Sequence, residues 1–146
     1  MPSACIFCDI VQRKRPASVV YEDDQTLAFM DLRQPVPGHV LVVPKRHAEA
    51  VYDLDEATGA RLARAVLRVS RAIRATLSPA GLSIWQSNGR AAGQEVPHLH
   101  VHLQPREVGD GLLRAYTQVP TTYGPGALDA LAERIAHGLV NQSGEL

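Results

Sequence analysis

Five short runs of apolar and β-branched residues predict strands along this chain. The runs are 19–22, 26–30, 39–43, 82–87 and 98–104. The polar residues 23–25 separate the first two runs, which is typical of a hairpin. The third run closes at Pro44 and predicts a buried strand with His39 at its mouth. The last two runs alternate between side-chain types, as expected for strands whose successive side chains point to opposite faces.

A longer segment repeats its apolar residues with the helical period. It predicts a helix from about Glu56 to Leu77, with Asp55 as its N-cap. The apolar arc of this helix consists of Leu62, Val66, Val69, Ile73 and Leu77. The opposite arc consists of Arg61, Arg64, Arg68, Arg71 and Arg74. An arginine face can bind phosphates, but no aromatic residues interleave here and the net charge is zero, so a solvated outer face is favoured.

Two further helices are predicted near the ends of the chain. Apolar residues at helical spacing predict a short helical turn over 5–11, which carries both cysteines. A final helix spans about 127–140, with His137 on its exposed side. Its apolar side consists of Leu128, Leu131, Ile135 and Leu139. The segment from 107 to about 126 is rich in Gly, Pro and Thr without a clear period, and it predicts a long loop.

The composition is that of an ordinary globular protein. With 146 residues, 45% apolar and 21% charged, the chain is expected to form one domain with a real core. Lys plus Arg equals Asp plus Glu at 15 each, so no net charge attracts it to nucleic acid or an anionic membrane. No apolar run approaches the roughly 18 residues of a membrane span. Residues 1–5 lack the features of a secretory signal, so a cytoplasmic location is expected.

The segment 98–104 contains three of the six histidines within five residues. In a strand, His98, His100 and His102 would share one face, and the intervening aliphatic residues would share the other. The aliphatic face would then pack against the core, and the histidine face would be solvent-exposed or reactive. Because the imidazole pKa lies near neutral pH, three imidazoles together offer metal ligation, proton transfer or nucleophilic attack.

The only cysteines, Cys5 and Cys8, have the C-x-x-C spacing of a metal or redox site. A tetrahedral zinc would need both thiolates and two more ligands. The candidates are His39, His47, His98, His100 and His102. A thioredoxin-like redox pair normally follows a strand at the start of a long helix, which this sequence does not predict at Cys5. Zinc is therefore favoured over redox exchange, with two plain reduced cysteines as a third interpretation.

The histidines themselves allow two kinds of chemistry. A neutral imidazole can attack phosphorus, forming a phosphoramidate-type intermediate that water then cleaves. Flanking histidines and backbone N–H groups of the glycine-punctuated loop 88–94 could stabilise the phosphate oxygens. The alternative is a catalytic zinc bound by all three histidines. That arrangement would be strained, because the outer two would lie about 13 Å apart at Cα on a strand.

Several blocks of the sequence together resemble the histidine triad (HIT) family. The run 98–104 looks like its motif His-φ-His-φ-His-φ-φ, where φ is an apolar residue. The other matching blocks are 6–11, 20–24, 27–31, 37–45 and 92–94. The resemblance covers about residues 5–106 of a single domain and leaves 107–146 unmatched. It implies an α+β HIT-like fold with a mostly antiparallel sheet of about five strands and two main helices, and a homodimer.

The resemblance also implies a nucleotide hydrolase or nucleotidyl transferase that acts at the α-phosphate through a nucleotidyl-histidine intermediate. His100 would be the nucleophile, and His39 and His102 would lie near the phosphates. Asp31 would accept hydrogen bonds from the ribose hydroxyls. Residues that match the apolar base pocket are Phe7, Ile10, Phe29 and Leu32, with core packing favoured for Ile10. Further predicted contacts of the nucleotide, expected to be a purine, are Ser87, Gly93, Gln94 and Val96.

Family members with the cysteine pair are similar to this chain in a further respect, a structural zinc. The matching ligands are Cys5, Cys8, His47 and His98, and this assignment leaves His100 free. The implied substrate is a nucleoside 5′-phosphate derivative, either a dinucleoside polyphosphate or a nucleoside phosphoramidate.

Two residues depart from the family pattern. Ser87 stands where relatives often carry Asn or Gln, although the neighbouring Asn88 could serve instead. Glu95 stands where phosphoramidase-like members carry a serine that helps to protonate the leaving group. These departures motivate an alternative hypothesis, a non-catalytic, zinc-stabilised nucleotide-binding or scaffold protein.

Overall fold

The computed structural model describes residues 5–112 and 118–142 of the chain. By internal contacts the chain divides into two compact units, residues 1–112 and 113–146. The predicted single domain over the whole chain therefore stays a prediction. None of the described helices is long and apolar enough to cross a membrane.

The first unit contains a five-stranded sheet. Its strands are β1 (Val19–Glu22), β2 (Thr26–Met30), β3 (Val40–Pro44), β4 (Gly81–Gln86) and β5 (Val101–Arg106). Their order across the sheet is β1-β2-β3-β5-β4, and every neighbouring pair is antiparallel. The predicted α+β class, the five strands and the first hairpin are confirmed.

The helices also follow the sequence pattern. They are α1 (Ile6–Val11), α2 (Glu56–Leu77) and, in the second unit, α3 (Pro125–Gln142). The last extends two residues beyond the predicted helix at each end. Of the predicted long loop, residues 113–117 lie outside the described residues, and the rest contains no helix or strand up to α3.

Helix α2 begins at the predicted cap. Asp55 accepts a hydrogen bond from the backbone N–H of Thr58 at 2.8 Å, which satisfies one of the free donors of the first turn. The buried apolar stripe consists of Leu62, Ala65, Val69 and Ile73. Leu77 was predicted to belong to this stripe but is exposed. It lies in the last turn and packs over Gly38 instead of the sheet.

The two faces of the sheet carry separate cores, and β3 contributes to both. On the α2 side, the buried residues include Val40 and Val42 of β3, Leu103 of β5 and Leu99, which lies just before β5. On the α1 side, they include Leu27, Phe29, Leu41 and Val43. Because aliphatic side chains of the histidine segment face α2, its histidines face α1, and this predicted division of faces is confirmed.

The predicted strand over 98–104 was wrong at its start. Strand β5 begins only at Val101, so His98 and His100 lie in irregular backbone. The reason is that this segment bonds to a loop rather than to a neighbouring strand. The Leu99 N–H donates to the Ala48 carbonyl at 2.7 Å.

Gly38 is expected to be intolerant of a side chain. Its φ is +108°, and a Cβ there would lie 2.8 Å from Cγ of Pro105 and still closer to Leu77. We expect Gly38→Ala to lower the free energy of unfolding by about 1–3 kcal/mol. Gly59→Ala is the matched control, because no atom lies within 4 Å of its Cβ position and it is helical. It should raise stability by about 0.5–1 kcal/mol, and equal effects of both changes in urea unfolding would contradict this account.

Candidate functional site

The chemically active side chains meet on the α1 side of the sheet. The segment before β5 supplies His98 and His100, and β5 itself supplies His102. The loop between β2 and β3 supplies Asp31 and His39. These groups come together because β3 lies between β2 and β5. They form two adjacent centres, a cysteine–histidine cluster and a histidine site.

Four predicted ligands form a cluster that could bind a metal ion. They are Cys5, Cys8, His47 and His98, with all four ligand atoms within 4.8 Å of one another. The Cys5 Sγ lies 3.4 Å from Nδ1 of His98. The Cys8 Sγ lies 3.3 Å from Nδ1 of His47 and 3.6 Å from that of His98. Sulfur and nitrogen ligands of a tetrahedral zinc are roughly 3.6 Å apart, so the donor set fits this metal.

Hydrogen bonding leaves the ligating atom of His98 free. Its Nε2 lies 2.9 Å from the carbonyl oxygen of Pro44, which can only accept, so Nε2 carries the proton and Nδ1 faces the sulfurs with its lone pair. Burial lowers the pKa of His98 to about 4. Burial, together with Cys5, raises the pKa of the Cys8 thiol to about 11. A bound zinc ion would displace this proton, because the thiolate is the form that binds the metal.

The same reasoning fixes the proton of His100. Its Nδ1 lies 2.7 Å from the carbonyl oxygen of His98 and must donate to it, so Nε2 keeps the lone pair. Burial lowers the pKa of His100, which keeps the imidazole neutral and nucleophilic. In the described part of the chain Nε2 has no hydrogen-bond partner, and no fully buried side-chain nitrogen there lacks one. This Nε2 is therefore open to a ligand.

His39 and His102 form a second hydrogen-bonded pair. Nε2 of His39 lies 3.0 Å from Nδ1 of His102, and Nδ1 of His39 lies 3.1 Å from the carbonyl oxygen of Arg33. Because that carbonyl only accepts, His39 donates through Nδ1 and accepts at Nε2 from His102. The Asp31 carboxylate lies 3.8 Å from the same Nδ1 of His39. Nε2 of His102 is thus left with a lone pair.

No single cluster combines the three histidines of the motif. Among the described residues, the groups of close potential metal ligands are the cysteine–histidine cluster and a second set, Asp31, His39 and His102. Neither contains His100. The geometry therefore disfavours a zinc bound by His98, His100 and His102 together.

A pocket of about 880 Å³ with a largely apolar lining opens beside this site. The predicted nucleotide contacts that line it are Phe7, Phe29, Asp31, Leu32 and Val96, and Ile10 lines it as well. The Phe7 ring meets His100 edge-on with 5.2 Å between centroids. The pocket and His100 therefore share the Phe7 side chain as a wall. The other predicted contacts, His39, His102, Ser87, Gly93 and Gln94, lie outside the pocket lining.

The glycine loop 88–94 is held in shape by its own hydrogen bonds. The Gln94 amide accepts from the Gly89 N–H at 2.6 Å and donates to the Glu49 carbonyl at 2.7 Å. The backbone N–H groups of Gly93 and Gln94 donate to carbonyls within the loop. Nucleotide contact by these two residues stays a prediction.

Asn88, the neighbour of the first departure, forms hydrogen bonds within the protein. The Asn88 side chain exchanges hydrogen bonds with Gln86 and accepts one from the Val51 N–H at 2.8 Å. It could replace Ser87 at a phosphate only if these bonds broke. Contact of Ser87 with a nucleotide stays a prediction.

Glu95, at the second departure, forms an ion pair with Arg33. Its carboxylate lies 3.1 Å from the guanidinium of Arg33, and both side chains are more than 60% exposed. Arg33 also lies 3.5 Å from Asp31. A carboxylate that accepts from Arg33 is not placed to donate a proton to a leaving group.

Three residues that hold the site together were missed from the sequence. The Gln34 amide donates to two carbonyls at the ends of the loop 31–39, at 2.7 and 2.8 Å. Arg33 supplies the carbonyl that orients the histidine pair. Trp85 stacks on His102. Only Trp85 gave a signal, as the single tryptophan on an alternating strand; nothing in the loop sequence marks the other two.

Comparison with known proteins gives a consistent result. A model of the HIT domain matches residues 12–109 of the chain. The structure is similar to a HIT family protein from Bacillus subtilis, with a TM-score of 0.83, 37% identity, and 92% of this chain and 96% of that chain covered. This likeness confirms the predicted HIT-like fold.

Two further proteins are similar to this chain. One is a Zn-bound histidine triad family protein from Mycobacterium smegmatis, with 38% identity, a TM-score of 0.70, and 81% of this chain and 84% of that chain covered. The other is an adenosine 5′-monophosphoramidase from Schizosaccharomyces pombe, 34% identical over 134 residues, which are 91% of this chain and 96% of that protein.

Proposed function

This chain belongs to the HIT domain family, and on that premise we propose that it is a hydrolase of nucleoside 5′-phosphate derivatives. The reaction would take place at the α-phosphate, through a nucleotidyl intermediate on His100. The phosphoramidase among its relatives supports an adenosine phosphoramidate as the first substrate to examine.

The single observation that carries this proposal is the hydrogen bond between the His100 ring and the His98 carbonyl. Nδ1 of His100 donates to this carbonyl, so the lone pair lies on the open Nε2. In the first step Nε2 forms a bond to phosphorus, and the bond to the leaving group breaks with its electron pair on that group, which takes up a proton. Water then attacks phosphorus, the P–N bond breaks, and Nε2 regains its lone pair, while the proton that water loses replaces the one that the leaving group took up.

The neighbouring residues support binding of the rest of the nucleotide. His39 and His102 would contact the phosphate oxygens, and the Asp31 carboxylate would accept hydrogen bonds from the ribose. The apolar pocket beside Phe7 and Phe29 is wide enough for a purine base. A nucleotide bound to these residues would have its α-phosphate near Nε2 of His100, because Phe7 lines the pocket and also contacts the His100 ring.

We further propose that the cysteine–histidine cluster binds a structural zinc ion. The donor set and its spacing support this, as does the Zn-bound relative. Bound zinc would connect α1 to the segment before β5. Because His98 contributes its ring to the cluster and its carbonyl to His100, the metal site would also keep the nucleophile oriented. The homodimer and the cytoplasmic location stay predictions.

A hydrolysis panel tests the proposed function. Purified protein is incubated separately with an adenosine phosphoramidate, with a dinucleoside polyphosphate and with AMP, and the nucleotide products of each reaction are separated. We expect release of AMP from at least one of the first two substrates. Nucleotide binding without turnover of either one would contradict the proposal and favour the alternative, a zinc-stabilised nucleotide-binding or scaffold protein.

A further inference from the structure

Trp85 occupies a special position beside the histidine pair. It is the only tryptophan of the chain, and it lies on β4 directly opposite His102 in the antiparallel register. The two rings are stacked, with 4.2 Å between centroids and 1° between planes. His39 lies beside His102 in nearly the same plane, with 5.2 Å between centroids and 21° between planes, and its ring centroid is 5.7 Å from that of Trp85. The indole therefore lies against one face of the hydrogen-bonded histidine pair.

The hydrogen bonds of the histidine pair determine which ring nitrogen carries no proton. The Arg33 carbonyl fixes the proton of His39 on Nδ1, and the His39 Nε2 in turn fixes that of His102 on Nδ1. The Nε2 of a neutral His102 then presents a lone pair, which repels a phosphate oxygen. A phosphate bound there requires one more proton on the His39–His102 pair, because a neutral pair can donate from Nε2 of His102 only by losing either the hydrogen bond between the two rings or the one to the Arg33 carbonyl.

We propose that Trp85 is a positioning residue that holds His102 in line with His39 and stabilises the protonated imidazole that a bound phosphate requires. The inference deepens the proposed function and rests on it, since it takes the phosphate of a nucleotide as the ligand. An aromatic face stacked on a cationic ring stabilises the charge through its quadrupole. An aliphatic side chain of similar size would fill the space without this effect.

Few of the groups around His102 can stabilise its protonated form. Burial, and to a smaller extent His100 and His39, lower the pKa of His102 to about 4. Of the charged groups that face it, Asp31 favours the proton and Arg33 opposes it. On β4, the group that faces His102 is the uncharged indole of Trp85. Without ligand His102 is therefore neutral near pH 7, and binding of phosphate should be accompanied by proton uptake.

Fluorescence of the single tryptophan gives a direct measurement. A protonated imidazole stacked on indole quenches its emission, so AMP added to the wild-type protein at neutral pH should lower the fluorescence of Trp85. An AMP complex formed with unchanged emission would contradict the proposal. This readout requires binding only, so it separates a failure of this inference from a failure of the hydrolase assignment.

Two variants separate the aromatic face from simple packing. In Trp85→Leu, AMP binding near pH 7 should weaken about 5- to 30-fold, the equivalent of about 1–2 kcal/mol, whereas Trp85→Phe should retain most of the affinity. The pKa of His102 in the complex is raised by phosphate, so affinity is lost as pH rises through that pKa. The loss should begin about one pH unit lower in Trp85→Leu. The ionisation of AMP is common to all variants and cancels.

Ile84→Ala is the matched control, because Ile84 precedes Trp85 on the same strand and is exposed on the other face. It should leave the pH dependence of AMP binding unchanged. Equal pH profiles for wild type, Trp85→Leu and Trp85→Phe would overturn the proposal. If Trp85→Leu does not fold, two measurements still test the proposal: the fluorescence quenching of the wild type by AMP, and the pH dependence of AMP binding to Trp85→Phe. Absence of quenching in the wild type is enough to contradict the proposal.

Discussion

Replacing His100 with alanine is expected to reduce kcat by about 10⁴-fold or more, while AMP still binds. The open Nε2 of His100 is the proposed nucleophile, because the His98 carbonyl holds the proton of this ring on Nδ1. Loss of a nucleophile typically removes catalysis on this scale. Single-turnover hydrolysis and AMP titration measure the two quantities separately.

Binding should persist in His100→Ala because the pocket residues Phe29 and Asp31 and the histidine pair remain in place. The control is His137→Ala on α3, an exposed histidine to which no role is assigned, which should keep wild-type kcat. Turnover retained in His100→Ala would exclude covalent catalysis by this residue. Loss of turnover in both variants would show that the effect is not specific to His100.

The second large effect is expected from Cys8→Ser, which should lower both metal content and stability. Cys8 contacts two of the other proposed ligands, His47 and His98. A ligand present at 1,000 times its dissociation constant stabilises the folded state by about 4 kcal/mol. Loss of zinc should therefore lower the free energy of unfolding by this order, and a strong chelator should do the same to the wild type.

Metal analysis and thermal unfolding check this prediction. Wild type and His137→Ala should both carry close to one zinc per chain, whereas Cys8→Ser should carry much less. A wild-type zinc content below about a tenth of an equivalent, without losses in purification, would count against the metal site. Full metal content in Cys8→Ser would show that the ion binds elsewhere.

A consequence for activity follows from the double role of His98. Its ring faces the cysteines, and its carbonyl accepts the proton of His100. Weakening the metal site should therefore lower kcat, although none of the proposed metal ligands reacts with the substrate. This coupling explains in physical terms how a structural site could support catalysis.

Much of the fold could be predicted from local sequence alone. The bounds of α2 follow from its cap and its period, and the facing of Leu99 and Leu103 toward α2 follows from strict alternation. Periodicity reports which face is buried, but not which backbone groups a segment bonds to. For this reason the strand was expected to begin at His98, whereas Leu99 bonds to Ala48 and β5 begins later.

The site was predictable in its residue types but not in its geometry. Spacing identified Cys5 and Cys8 as possible ligands, and the family resemblance separated the role of His98 from that of His100. The register between β4 and β5 places Trp85 opposite His102, and no local pattern specifies a register between distant strands. The ion pair of Arg33 with Glu95 joins residues far apart in sequence and depends on the same tertiary arrangement.

The most direct test of the central claim is to trap the intermediate on His100. Protein is mixed rapidly with an adenosine phosphoramidate, quenched in alkali, where a histidine P–N bond survives, and mapped by mass spectrometry of its peptides. We expect an adenylyl group on His100 that forms and disappears at least as fast as kcat, and none in His100→Ala. An adduct on another residue, or rapid turnover without any adduct on His100, would contradict it.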